Sequence, residues 1–183
     1  VRADAQRNVE SLLQAAKTVF ATDGVDAPAK QITDLAGVGV GTLYRHFPLR
    51  SDLITAVLEH EIDDCIAFAP VLAAANDPQA ALAMWLSKYT EFVATKRGLG
   101  EALHSGDPAF DGLPLYFLQR LGPALDSLLE GAIAVGEIRG DITADELLRA
   151  VAHLCVPGAG EGLEFSQRMI ALLLDGLRYG ARV

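Results

Sequence analysis

The side chains best suited to recognition chemistry crowd into one stretch, Gly37-Val38-Gly39-Val40-Gly41-Thr42-Leu43-Tyr44-Arg45-His46-Phe47. Just before it lies a short amphipathic run, Lys30-Gln31-Ile32-Thr33-Asp34-Leu35-Ala36. Two short helices joined by a tight glycine-containing turn make a helix-turn-helix, whose second helix enters the major groove of DNA. That chemistry is hydrogen bonding to phosphates and base edges, with no covalent step. Acid–base or metal chemistry has only fragments to work with: Asp63-Asp64, His60-Glu61, and His104 with Asp107. No Gly-rich phosphate loop, metal-spaced His/Cys set or nucleophile motif accompanies them. Adjacent Asp63 and Asp64 point in different directions on a helix, so they read as a solvated face. The chain is not expected to be an enzyme, and neither a catalytic nor a metal site is assigned.

The Leu43-Tyr44-Arg45-His46-Phe47 ending, with Ala36-Gly37-Val38 upstream, resembles the DNA-binding domain of TetR-family transcriptional regulators over roughly residues 7–60. The resemblance implies a dimeric, ligand-responsive DNA-binding protein, usually a repressor, that reads a pseudo-palindromic operator and is released by a small-molecule effector. The positions matching the family's DNA contacts are Lys30, Gln31, Thr33, Gly39, Val40, Gly41, Thr42, Tyr44, Arg45, His46 and Arg50. Thr42 and Tyr44 carry hydroxyls suited to phosphate oxygens, and Arg50 stands just past the helix, where relatives usually have Lys. Arg45 suits bidentate contact to guanine, and Val40 suits a thymine methyl. Lys30 and Gln31 begin the supporting helix, within reach of the backbone or a flanking base. His46 fits a phosphate contact or a packed, orienting histidine equally well. Gly39 replaces the family's usual Ser cap, Thr33 its usual Ala, and Gly41 is a second poor helix former that permits close backbone approach to the groove.

Several elements must hold that stretch in place, and their pattern is all-α. Ala and Leu dominate while β-branched alternation is scarce. A first helix is expected over about Ala5–Asp23, with Val9, Leu12, Leu13, Ala16, Val19 and Phe20 on one face and Gly24 as its stop. Pro28 suits the first turn of a second helix ending near Ala36. Leu43 and Phe47 of the third, about Val40–Phe47, are expected to pack on Ile32, Leu35 and the first helix. Ser51 can cap a fourth, running to about Phe68. Asp77-Pro78 opens a fifth, to about Arg97, followed by a short helix, Leu99–His104, and a breaker, Ser105–Pro108. A helix over Pro114–Val135 should kink or break at Pro123. Thr143 and Glu146 form a capping box opening a helix to about Cys155. The loop Pro157–Gly160 then precedes a last helix, Glu161–Tyr179. The expected organisation is a helix-turn-helix domain over residues 1–50, a connecting helix over 51–70, and a larger helical effector-binding and dimerisation domain over 71–183.

Charge divides along the same line. Residues 1–50 hold six basic and five acidic side chains, net +1, whereas the remainder holds nine basic and nineteen acidic, net −10. An anionic body repels phosphate, so only the N-terminal face should dock, through few cations and with steep salt dependence. The acidity also suits an alternative, a helical protein-interaction module whose helix-turn-helix no longer binds DNA. Lys30, Thr42, Tyr44, Arg45 and Arg50 argue against it. Cys65 and Cys155 are the only cysteines, too few for a disulfide framework or zinc site, and read as buried small hydrophobes. Apolar runs such as Met169 to Leu174 fall far short of a membrane span, and no signal-peptide pattern opens the chain. A soluble, cytoplasmic protein without a membrane partner is expected.

For the larger half the family supplies the expectation. Glu137–Ile142 resembles the linker before the last two helices, which in relatives form a four-helix dimer interface. Leu147, Leu148, Val151 and Leu154 on one helix, with Ile170, Leu173, Leu174 and Leu177 on the other, are its candidates for a homodimer. Trp85, Tyr89, Phe92, His104, Phe110, Tyr116, Phe117 and Gln119 fall in the helices that line the relatives' effector pocket. Such walls suit a hydrophobic or aromatic effector. No cofactor beyond that unidentified effector is expected.

Overall fold

The protein was analysed as a computed structural model in which residues 2–156 and 160–179 are described. The described residues form α1 (Arg2–Asp23), α2 (Ala29–Ala36), α3 (Val40–His46), α4 (Arg50–Ala75), α5 (Pro78–Gly98), α6 (Gly100–Leu103), a 3-10 turn (Pro108–Phe110), α7 (Leu113–Ala134), α8 (Ala144–Leu154) and α9 (Leu163–Tyr179). All regular structure among them is helical. Of the expected loop Pro157–Gly160, Pro157, Gly158 and Ala159 lie outside the described residues. Among the described residues no helix is long and apolar enough to cross a membrane.

The chain divides into two compact units. The first comprises residues 1–61 and 94–113, and the second comprises 62–93 and 114–183.

In the first unit, Leu12, Leu13, Ala16, Val19 and Phe20 form the buried face of α1, as the three-and-four spacing predicts. Helix α1 packs on α2, and α2 on α3. Leu43 is buried beside this core, but Leu35 is 58% exposed. Leu35 therefore contributes little of its surface to this core. On α2 it lies three residues from buried Ile32 and two from buried Thr33, and the helix turns about 100° per residue.

Helix α4 does not stop near Phe68 but continues through Pro70 to Ala75. Helix α7 likewise runs unbroken through Pro123. Proline removes one N–H and crowds the carbonyl four residues back, here those of Ile66 and Gln119. Pro70 and Pro123 are both exposed, so water can serve the carbonyls left without a donor.

The second unit centres on an aromatic ladder. Trp85 stacks on Tyr89 (5.8 Å between ring centroids), Tyr89 on Phe92 (6.0 Å), and Phe92 meets Phe117 edge-on (5.2 Å). The Trp85 indole Nε1–H donates to the Cys65 carbonyl at 2.8 Å, and the Tyr89 hydroxyl donates to the Leu148 carbonyl at 3.3 Å. Burial, the main cause, holds the Tyr89 phenol well above its ordinary range, so it remains a neutral donor. Cys65 and Cys155 are both buried thiols that form no disulfide. The capping box of α8 forms in full: the Thr143 hydroxyl accepts from the Glu146 N–H, and the Glu146 carboxylate accepts from the Thr143 N–H at 2.9 Å.

Candidate nucleic-acid interface

The geometry of α3 follows from its turn. Gly37 adopts φ +69°, the left-handed region open to glycine, and closes α2. Its N–H donates to the Asp34 carbonyl, and the Val38 N–H to the Thr33 carbonyl at 3.1 Å. Gly39 then caps α3 in extended conformation, its carbonyl accepting from the Thr42 N–H at 2.9 Å. No side-chain oxygen caps this end. The Phe47 N–H to Leu43 carbonyl bond at 2.8 Å closes the other end, and Pro48 follows. With seven residues and two helix-weakening positions, α3 depends on Leu43 packing rather than propensity.

Leu43 is the only buried residue of α3. Val40, Gly41, Tyr44, Arg45 and His46 are exposed, Thr42 is half-buried, and Tyr44 leaves 53% of its surface in solvent. One continuous side of the helix is therefore open. Gly39, Lys30 and Gln31 are exposed beside it. The Lys30 ammonium meets the Asp34 carboxylate at 2.6 Å, one turn along α2. Both side chains of that pair are solvated, so a phosphate can compete for the lysine at small cost.

Two expected contacts have other duties. Thr33 is buried, and its hydroxyl donates to the Lys30 carbonyl at 3.1 Å. It is corrected from a DNA contact to a packing residue, because a side chain turned into the α1–α2 core presents nothing to a duplex. Arg50 is exposed, yet its guanidinium donates to the Ala27 carbonyl at 2.7 Å and lies over the Phe20 ring, 5.7 Å from the centroid. It ties the start of α4 to α1 and to the approach to α2. Sequence periodicity carries no signal for a bond reaching 23 residues back.

A polar staple was missed. The Lys17 ammonium of α1 meets the Glu61 carboxylate of α4 at 2.5 Å, with Lys17 29% and Glu61 2% exposed. Glu61 stands four residues after Val57 and three after Leu58, in the buried register of α4. A carboxylate at such a position was the available signal.

The other candidate residues divide. Trp85, Tyr89, Phe92 and Phe117 belong to the packed ladder of the second unit, Tyr116 is half-buried and Gln119 is exposed. His104 and Phe110 belong to the first unit. The His104 ring Nδ1 bonds the Gly100 carbonyl at 2.7 Å, and Phe110 is buried. Neither the ladder's indole nor its phenol N–H or O–H is left over to orient a ligand. Among the described residues no group of three or more His, Cys, Asp or Glu side chains is placed to hold a metal ion.

The expected dimer residues divide by burial within one chain. Leu147, Leu148, Val151, Ile170, Leu174 and Leu177 are already buried within one chain, where α8 packs on α9. Leu154 is exposed and Leu173 half-buried. A second stripe, Phe165, Met169, Leu172, Gly176 and Tyr179, lies on the far side of α9. Leu172 leaves 67% of its surface in solvent there.

Comparison with known proteins agrees with this geometry. A model of bacterial regulatory proteins of the tetR family matches residues 12–57, and a model described as transcriptional regulator SbtR-like, C-terminal domain, matches residues 77–179. The solved TetR transcriptional regulator SCO0520 from Streptomyces coelicolor is 34% identical over 93% of this chain and 98% of its own, with a TM-score of 0.81. A TetR transcription regulatory protein from Mycobacterium vanbaalenii is 32% identical over 97% of this chain and 98% of its own, with a TM-score of 0.74. An HTH-type transcriptional regulator of Staphylococcus aureus is 36% identical over 64 residues, so this chain covers 35% of that relative's length.

Proposed function

The chain belongs to the TetR family of bacterial transcriptional regulators, and from that premise we propose that it represses transcription as a homodimer on a pseudo-palindromic operator. The observation that carries this is the open side of α3, on which every residue but Leu43 and Thr42 is exposed. Arg45 reads a base, its guanidinium fork matching guanine O6 and N7. Val40 rests on a thymine methyl, and Gly41 lets the α3 backbone approach the groove floor. Thr42, Tyr44, His46, Lys30, Gln31 and the Gly39 backbone hold phosphates and fix register. Arg50 holds the reading head together from behind.

Two such heads must stand about one DNA turn, roughly 34 Å, apart to reach both half-sites. The exposed α9 stripe around Leu172, with Leu154 of α8, supplies the face on which a second copy docks. A small, mainly hydrophobic effector releases the operator, and it does so only through unequal affinity for the DNA-bound and free conformations.

The test is a library of operator variants bound to Arg45→Ala. Discrimination should relax at one base position per half-site, by about 1–3 kcal/mol, with the other positions unchanged. Uniform weakening across the library refutes base reading by Arg45.

A further inference from the structure

A cavity of about 190 Å³ lies within the first unit, apart from the open side of α3. Buried Phe20, Val57 and Leu99 form its apolar walls, and exposed Ala21, Ala94 and Gly98 form its rim. Lys17 and Thr95 are the polar residues of its lining. We propose that this cavity is a regulatory site for a small, neutral, single-ring molecule carrying one acceptor oxygen. The regulatory part rests on the reading that this unit binds DNA.

Size and charge define the ligand class. An apolar protein cavity of about 150 Å³ suffices for benzene, so this one admits a ring with a short substituent. Drug-sized ligands need about 300–1,000 Å³ and are excluded. Lys17 already donates one N–H to Glu61, and the pair is electrically neutral. An anion would therefore gain no net attraction from this pair. A neutral carbonyl can instead accept from one of the two N–H bonds that the Lys17 ammonium retains beyond the Glu61 bond. Phe20 connects the cavity to the reading head, since the ring that walls it also carries the Arg50 guanidinium, which bonds the Ala27 carbonyl ahead of α2. A ring seated against Phe20 therefore bears on the contact that ties the start of α4 to the approach to α2.

Acetophenone is the probe, benzoate its anionic control of the same size, and methyl NMR of the full-length chain the first readout. Acetophenone should shift the Val57 and Leu99 methyl signals saturably, and benzoate should not. Val57→Phe, which fills the cavity, should abolish the effect. Ala94→Leu does so from the rim should the first variant fail to fold. Saturating acetophenone should then change operator affinity threefold or more. Absence of saturable shifts, equal response to benzoate, or persistence of binding in the filled variant that folds overturns the site. Saturable binding with operator affinity unchanged overturns its regulatory role. Probe binding by a chain that binds no DNA overturns the DNA-binding reading and the regulatory role with it, while the methyl shifts still establish the cavity as a ligand site.

Discussion

Lys17 and Glu61 make unequal partners, and the inequality predicts which deletion hurts. The ammonium is 29% exposed whereas the carboxylate is 2% exposed. Two unit charges about 4 Å apart attract by about 4 kcal/mol at an effective dielectric of 20, and desolvation of the pair offsets most of this. Lys17→Met leaves Glu61 as a buried carboxylate without its cation, which costs about 3–5 kcal/mol. Glu61→Gln leaves Lys17 free to turn towards water, and the loss is that of one charged hydrogen bond, about 1.5 kcal/mol. Lys17→Met combined with Glu61→Leu removes both charges and fills the space, so the double variant should lie within about 1 kcal/mol of the parent or above it. Urea unfolding followed by far-UV circular dichroism, with the slope checked for constancy, measures all four proteins. Equal costs for the two single substitutions would refute the asymmetry. A double variant as unstable as Lys17→Met would refute the assignment of the cost to an orphaned charge.

Three further outcomes follow from other sites. Gly41→Ala meets no atom within 4 Å and replaces a poor helix former, so it should stabilise the chain by about 1 kcal/mol while weakening operator binding; unchanged operator affinity in a gel-shift titration would remove the close-approach role. Thr143→Ala removes the cap acceptor of α8 and should cost about 1 kcal/mol in thermal unfolding. The Glu146 carboxyl is held below its ordinary range, first by the Thr143 N–H and then by its hydroxyl. Its contribution is therefore complete above the ordinary carboxylate pKa and lost as pH falls through the depressed value, and Glu146→Gln should flatten that acid limb of a stability–pH profile. Leu172→Glu places a charge on the exposed α9 stripe and should shift sedimentation from dimer to monomer with the fold retained; an unaltered dimer would move the interface elsewhere.

The helix-turn-helix was legible because its punctuation is local. Gly37 ends one helix, Gly39 begins the next and Pro48 follows its C-cap Phe47, so the boundaries need no knowledge of the rest of the chain. Asp77-Pro78 and the Thr143–Glu146 box placed helix starts for the same reason. What was not legible depends on tertiary packing. Pro70 and Pro123 sit exposed in unbroken helices, where water can serve the lost bonds, and a proline in the sequence does not by itself report that relief. Helix α9 is apolar on two sides, so composition cannot say which side a single chain keeps for itself; Ile170, Leu174 and Leu177 proved to be the inner one. Thr33 and Arg50 match family positions, yet one is turned inward and the other engages Phe20 and Ala27.

The chain enters the reading unit twice, first over residues 1–61 and again over 94–113. Leu99, Phe110 and Leu113, all buried, arrive only on that second visit. A chimera spliced after residue 61 would leave behind part of the hydrophobic interior its head was built with. Transplanting operator specificity between such regulators therefore calls for exchanging two separate tracts together, and a head moved alone should express as a loosened, protease-sensitive fragment.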